Sequence, residues 1–230
     1  CLFLQGASGE LGPVEGFVGD VAVADRNGRQ LGHAALSALE ATPAPNTRFS
    51  YQGPVVSGAT LGDWRHEPLP TECVAANADW HVDRQEIPLP IRAGTPTVEQ
   101  VQGELAEWEA KDTPDARAMA ERKRRLLHRL DQLPPGEMFP IESVVLKIGG
   151  AVWVLLQGEF YSTLQTTLRE RFPGTPILVA TIASHWGASY LPPRELYGTG
   201  IYQESIAIVE AGGLETVIEV TSEKIESMLK

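Results

Sequence analysis

Residues 144–190 constrain the fold of this chain more than any other stretch of its sequence. They contain three short, mostly apolar runs rich in β-branched residues, at 144–148, 151–156 and 177–182. Near-continuous apolar runs are typical of strands buried on both faces of a sheet. The first two runs are separated by Gly149-Gly150, a dipeptide that favours a hairpin turn. The stretch therefore predicts a buried sheet with a hairpin between its first two strands.

A helix is predicted between the second and third runs. The residues Gln157-Gly158-Glu159 follow the second run, and Glu159 is predicted to open the helix. Backbone N–H groups and the helix dipole favour a negative charge at that end. The apolar residues at a spacing of four, which places them on one helix face, are Leu164, Leu168 and Phe172. Pro173-Gly174 is predicted to end the helix.

Two polar side chains follow the carboxyl ends of two predicted core strands. Glu159 follows the run at 151–156, and Tyr190 closes the loop that follows the run at 177–182. In open α/β sheets, ligands bind at this edge. On the residues alone Glu159 has two interpretations: an acid in the first turn of a helix, or a carboxylate in a binding site.

Helix and strand signals alternate along the rest of the chain. The elements predicted outside the central stretch are a helix over 20–41, an edge strand over 48–58, a strand within 74–89 and a helix over 213–229. The remainder of 59–96 is predicted to be irregular because it is rich in proline. The alternation predicts an α/β fold, a layered mixed sheet flanked by helices, in a single domain over 1–230.

Residues 97–133 are predicted to form a helical hairpin inserted into this fold. Thr97 caps its first helix, and Pro114 stands at the first position of its second. The second helix carries the basic run RKRR at 122–125, opposite an apolar side. A solvated helix face is the favoured interpretation of this run, since charged faces are ordinary in amphipathic helices. A partner-binding patch and a contact with anionic lipid headgroups are the alternatives.

Charge and composition argue against several classes of function. The net charge of −11 argues against binding to nucleic-acid backbones, which requires clustered Lys and Arg. No run of about 18 apolar residues is present, so no transmembrane segment is predicted. Cys1 and Cys73 provide neither a disulfide scaffold nor a metal motif. A nucleophilic Cys1 would need a positioned base, which the sequence does not identify.

Three segments, taken together and in order, resemble the neutral/alkaline (non-lysosomal) ceramidase family, and more closely its shorter bacterial relatives. They read FLQGASGELGP at 3–13, QGEF at 157–160 and SYLPPRELYGTGIYQE at 189–204. The resemblance covers the first 40 residues and everything from about residue 138 onward. It implies a zinc-dependent amidase whose substrate is an N-acyl lipid or a related amide. Relatives are often secreted or periplasmic.

The resemblance also implies a set of metal ligands. Family members bind one zinc ion through two histidines, a glutamate and a tyrosine. Glu159 in Gln-Gly-Glu-Phe matches the glutamate, and Tyr190 in Tyr-Leu-Pro-Pro matches the tyrosine. The family's histidines lie upstream of the segment that resembles 3–13. The resemblance therefore implies that these 230 residues are the C-terminal part of a larger catalytic domain and bind zinc poorly alone.

The glycine-rich segment departs from the family pattern. Gly6 stands where the ceramidases carry a catalytic serine, and Glu10 takes the acidic place. Ser8, two residues on, is the candidate substitute for that serine. His185, five residues before Tyr190, is a further catalytic candidate because imidazole is a common acid–base group and metal ligand.

Three functional hypotheses follow. The first is a ceramidase-like zinc amide hydrolase. The second is a relative that binds a ligand without chemistry, which Gly6 favours. The third is a zinc hydrolase of a non-lipid amide or ester. A deep apolar pocket would favour the first of these over the third.

Overall fold

The computed structural model describes residues 2–57, 59–134, 136–183 and 187–230, without the side chains of 56, 57, 59 and 60. The strands in these ranges are β1 (Thr47–Ser57), β2 (Ala59–Pro68), β3 (Trp80–Pro90), β4 (Met138–Ile148), β5 (Ala151–Leu156), β6 (Glu159–Phe160), β7 (Ile177–Ala180) and β8 (Tyr190–Leu191). The helices are α1 (Val21–Glu40), α2 (Thr71–Asn77), α3 (Val98–Glu109), α4 (Ala116–Asp131), α5 (Thr163–Arg171), α6 (Tyr202–Ile206) and α7 (Gly213–Leu229).

The fold is α/β, as the sequence predicts. The chain forms two compact units, of which the first comprises Cys1–Glu10, Val82–Leu146 and Val152–Lys230. The second comprises Leu11–His81 and Lys147–Ala151. In the described part of the chain, every helix is too short or too polar to cross a lipid bilayer.

The first unit is built on a four-stranded sheet in the order β3-β4-β5-β7. The predicted hairpin is confirmed, since β4 and β5 are neighbours and Gly149 in their turn has a φ of +56°. Strands β5 and β7 are parallel, with Val152 opposite Ile177. The buried side chains of the sheet and of α5 and α7 form one cluster, which includes Val145, Val154, Leu156, Leu164, Leu168, Leu214, Val217 and Ile225.

The helix predicted to open at Glu159 begins instead at Thr163. Glu159 and Phe160 form the short strand β6, which pairs in parallel with β8. The side chain of Phe160 is fully buried, and the N–H of Glu159 donates to the carbonyl of Ser189 at 2.7 Å. This pairing keeps the chain extended, so Glu159 is a strand residue and not a first-turn helix acid.

The helical hairpin of the first unit is confirmed as α3 and α4. Thr97 caps α3 in a reciprocal arrangement: its N–H donates to Gln100 Oε1 at 2.8 Å and its hydroxyl accepts from Gln100 N at 3.3 Å. Val101 on α3 and Ala120 and Leu130 on α4 are buried. Lys123 of α4 forms an ion pair with Glu104 of α3.

The second unit contains α1, α2 and an antiparallel hairpin of β1 and β2. Asp20 caps α1 by accepting from Ala22 N at 2.9 Å, and the predicted helix is confirmed. Leu31 and Leu39 of this helix are exposed. The strand predicted within 74–89 is confirmed as β3, but the prediction that the remainder of 59–96 is irregular is wrong, because β2 pairs with β1 and α2 follows it. The proline content of this region gave no sign of the pairing between β1 and β2.

Candidate functional site

Glu159 and Tyr190 lie directly opposite each other in the register of β6 and β8. Gly158 makes this approach possible. Its φ is +104°, and a Cβ added to it would lie 3.1 Å from Leu191 Cδ1 and 3.2 Å from the carbonyl oxygen of Ser189. Only glycine adopts this conformation readily and leaves room for β8. The Gly-Glu pair of the QGEF segment therefore sets a carboxylate beside a phenol.

The two side chains interact electrostatically. Burial is the main cause that raises the pKa of Tyr190 to about 12. The negative charge of Glu159 raises it further, as does the hydrogen bond that the Tyr190 hydroxyl donates to Glu159. At neutral pH the Tyr190 hydroxyl is therefore protonated and donates a hydrogen bond to the side chain of Glu159.

A cavity of about 650 Å³ opens at this pair, a volume within the usual range for small-molecule sites. One wall comes from β6, β8 and the residue before β8: Glu159, Ser189 and Tyr190. The other wall comes from α4 and α6: Glu121, Arg124, Arg125, His128, Arg129, Tyr202 and Ile206. The cavity thus places an acidic and phenolic wall in front of a basic one.

Ser189 is an unusual residue in the first wall. It has a φ of +65°, a conformation that costs a non-glycine residue about 1–3 kcal/mol. It is fully buried, and its hydroxyl has no hydrogen-bond partner among the residues described. Buried polar groups without partners are rare in folded proteins, and this one belongs to the cavity lining. Nothing in the sequence singles out this serine.

Tyr202 connects the two walls. Its ring lies 6.1 Å from the ring of Tyr190 at an interplanar angle of 67°, an edge-to-face contact. Its phenol is also close enough to Arg129 to act on the pKa of that guanidinium. Burial is the main cause that lowers the pKa of Arg129, while Tyr202 acts in the opposite direction.

Glu204 holds the helix that carries Tyr202. Its two carboxylate oxygens accept from the N–H groups of Gly198 at 2.8 Å and Gly200 at 3.0 Å. Arg92 Nη1 donates to the carbonyl of Glu204 at 2.6 Å, and its guanidinium lies 5.4 Å from the centre of the Tyr197 ring. These contacts fix the loop between β8 and α6, which belongs to the third resembling segment.

The glycine-rich segment packs beside β6. The carbonyl of Gln5 accepts from Thr181 N at 2.7 Å, and Gly9 N donates to the carbonyl of Phe160 at 2.8 Å. The hydroxyl of Ser8, the predicted catalytic serine, accepts from Gln5 Nε2 at 2.5 Å. Ser8 is not among the residues of the described chain that line the cavity. The structure therefore brings this segment to β6 but does not bring Ser8 into the cavity wall.

The basic run on α4 is divided between cavity and solvent. Arg124 and Arg125 line the cavity, and Arg122 does not. A solvated face is therefore an incomplete interpretation of the run. Sequence patterns do not reveal His128 and Arg129, because their place beside the cavity depends on where the hairpin packs. The remaining candidate, His185, lies outside the described residues.

The donors present fit a zinc ion only in part. A zinc site takes three or four protein ligands, usually nitrogen and sulfur with some oxygen. Glu159 and Tyr190 offer two adjacent oxygen donors. Within the described ranges no cluster of three or more His, Cys, Asp and Glu side chains is placed to hold a metal ion. The assignment of Glu159 and Tyr190 as ligands stays a prediction.

Comparisons with known proteins find one distant structural likeness. The chain is similar to the crystal structure of neutral ceramidase from Pseudomonas aeruginosa, with 13% identity and a TM-score of 0.37. The likeness covers 63% of this chain and 27% of that chain, so this chain spans about a quarter of that protein's length. No protein-family model matches, and no curated protein matches in sequence.

Proposed function

We propose that this chain carries part of the catalytic centre of a zinc-dependent, ceramidase-like amide hydrolase that acts on an N-acyl lipid or a related amide. One observation carries the proposal. The two side chains that the sequence resemblance matches to metal ligands, Glu159 and Tyr190, are far apart in sequence, yet they are paired and hydrogen-bonded at a cavity wall. If Glu159 were only an acid in the first turn of a helix, it would not be expected to pair with that tyrosine.

Each residue has a defined part in this proposal. Glu159 supplies a carboxylate ligand, and the backbone bond from its N–H to Ser189 fixes its position. Tyr190 orients that carboxylate through its hydroxyl and is the second oxygen donor. When bound, zinc lowers the pKa of a coordinated water to about 7 and polarises a carbonyl. Ser189 has a hydroxyl with no partner in the described structure, which suits it to a hydrogen bond with a bound ligand.

Ligand binding without chemistry is the second candidate function, and Gly6 favours it. A Cβ at Gly6 would lie 3.2 Å from Gln165 Oε1, so a serine there would require Gln165 to move. Ser8, the candidate substitute, has its hydroxyl bonded to Gln5. The position matched to the family's serine therefore lacks a nucleophile.

A non-lipid amide or ester is the third candidate, favoured by the composition of the cavity. Ile206 is the sole aliphatic residue among the lining residues that the described chain supplies. A long acyl chain gains most of its binding free energy from apolar surface. The scarcity of aliphatic side chains supports an amide or ester without a long acyl chain.

Zinc content tests the proposal. The protein, expressed from its complete gene, should contain about one zinc per chain by elemental mass spectrometry, as catalytic sites with one open position do. Glu159→Ala should lose the metal and the hydrolysis of N-acyl amides. Glu226→Ala, which removes an exposed carboxylate from α7, is the matched control and should keep both. A zinc-free parent protein would contradict the hydrolase proposal and leave ligand binding.

A further inference from the structure

We infer that the α4 and α6 wall of the cavity is an anion-binding subsite, so that the amide taken by this site carries a phosphate or carboxylate group. The inference rests on the proposed function for the amide. The anion subsite itself rests on Arg124, Arg125 and Arg129, which line this wall. An anionic group on the amide would distinguish this substrate from a neutral N-acyl lipid.

The charge of the cavity runs against the charge of the whole chain. The protein has 19 Lys and Arg against 30 Asp and Glu, a net charge of −11. The cavity lining reverses this balance, with three arginines against the carboxylates of Glu121 and Glu159. A positive excess in a concave site raises the local concentration of anionic ligands, because the field is focused there. An anion is therefore favoured here over the surrounding surface.

Of the three arginines, Arg129 is the best placed to bind an anion. Its guanidinium is half-buried and oriented, with Nε donating to the carbonyl of Arg125 at 3.3 Å and Nη1 to that of Ile206 at 3.4 Å. Burial lowers its pKa, because a cation withdrawn from water loses hydration. An anionic oxygen beside it would offset that loss through a charge-assisted hydrogen bond, which arginine forms with phosphate and carboxylate groups.

Arg124 and Arg125 share one carboxylate. Glu121 Oε1 lies 3.1 Å from Arg125 Nε, and Glu121 Oε2 lies 3.6 Å from Arg124 Nη1. Arg124 is also paired with Glu109 at 2.6 Å. Exposed pairs of this kind contribute about 0–1 kcal/mol, so they do not hold the guanidinium groups against a better anion. Arg125, with 73% of its side chain exposed, is free to turn toward a ligand.

Tyr202 lies in the same cavity lining as Glu159 and Arg129, and its ring contacts the ring of Tyr190. A ligand in this cavity can therefore place its amide carbonyl beside Glu159 and its anionic group beside Arg129. The negative charge of Glu159 opposes the reversed orientation, since like charges placed together are disfavoured.

A matched pair of amides tests the subsite. The probes are N-octanoyl phosphoethanolamine and neutral N-octanoyl ethanolamine, with inorganic phosphate as a third ligand. Binding is measured by isothermal titration calorimetry without added zinc, so that a failure of the zinc proposal does not affect the result. We expect the phosphate-bearing amide to bind about tenfold or more tightly than the neutral one, the size expected for a charged hydrogen bond.

Substitutions on α4 locate the effect. Arg129→Gln and Arg125→Gln should each reduce the preference for the phosphate-bearing amide by about tenfold. Arg122→Gln removes the same charge from the same basic run outside the cavity lining, and should leave the preference unchanged. Circular dichroism checks folding. If Arg129→Gln does not fold, Arg125→Gln decides, because that side chain is largely exposed.

Three results would overturn the inference. The first is equal binding of the two amides. The second is a preference that survives both cavity substitutions or is lost equally in Arg122→Gln. The third is inorganic phosphate that binds as tightly as the phosphate-bearing amide, which would show that the anion site takes a free ion and not the substrate's own anion.

Discussion

The ring of Tyr202 meets the ring of Tyr190 edge to face, with 6.1 Å between their centres. This contact joins the two walls of the cavity, because Tyr190 belongs to β8 and Tyr202 opens α6. Glu204 fixes the loop between them through the N–H groups of Gly198 and Gly200. This matters for the contact because a shift of α6 would separate the rings. The resembling segment at 189–204 therefore acts as one structural piece of the site.

Removing the Tyr202 ring should open the cavity. Tyr202→Ala is expected to lower the free energy of unfolding by about 0.5–1.5 kcal/mol, the range for an aromatic pair. It should also weaken binding of the phosphate-bearing amide, because the ring forms part of the cavity lining. Tyr202→Phe keeps the ring and should behave like the parent protein in urea unfolding and calorimetry. Equal losses in the two variants would show that the hydroxyl, and not the ring, matters.

Glu204 should make the protein sensitive to acid. The N–H groups of Gly198 and Gly200 are the main cause that lowers the pKa of Glu204 in the folded state, and Arg92 adds to it. The unfolded chain regains the usual value of about 4.3 and therefore binds more protons in this range. The stabilisation is complete above that value and is lost as the pH falls through the lower, folded pKa.

Thermal unfolding measured from about pH 6 to about pH 3 tests this dependence, because the stabilisation is lost at pH values below the usual carboxyl pKa. Glu204→Gln should flatten part of the acid slope, because the variant has no carboxylate to protonate at that position. Glu226→Gln, on the exposed face of α7, should keep the slope of the parent protein. Parallel curves for the parent and Glu204→Gln would contradict the role given to this carboxylate.

Gly158 should tolerate no side chain. Its φ of +104° and the 3.1 Å approach to Leu191 Cδ1 make Gly158→Ala both strained and crowded. The expected loss in unfolding free energy is about 1–3 kcal/mol from the backbone conformation alone. Gly174→Ala is the matched control, because a Cβ there meets no atom within 4 Å and the residue has no positive φ. A small effect of Gly158→Ala in urea unfolding would show that β6 and β8 are not closely coupled.

The sequence predicts the parts of this fold that depend on local patterns. Continuous apolar runs identify β5 and β7, and the last helix matches its predicted bounds at Gly213–Leu229. The pattern fails where pairing is long-range. The periodicity of Leu164 and Leu168 extends a helix back to Glu159, but the pairing of β6 with β8 keeps that residue in a strand.

The candidate site likewise contains some residues that the sequence identifies and others that only the fold reveals. Glu159 and Tyr190 are found from sequence because each lies in a segment that resembles a known family, and the fold brings them together. Arg129 lies in no such segment, and its position depends on how α4 packs beside α6. Ser189 escapes notice because its strained φ and its buried hydroxyl are properties of the folded chain alone.

The chain of 230 residues should bind zinc weakly by itself. Glu159 and Tyr190 supply two oxygen donors, and the described ranges hold no cluster of three or more acidic, histidine or cysteine ligands. Zinc sites of high affinity use three or four ligands, mostly nitrogen and sulfur. Competition with a chromogenic chelator should therefore give this chain a zinc affinity far below that of a site with three or four protein ligands. Tyr190→Phe should weaken this zinc binding further, whereas Tyr197→Phe should not, because the Tyr197 hydroxyl donates to the carbonyl of Val209. A tight site in the 230-residue chain would mean that its own residues complete the metal shell.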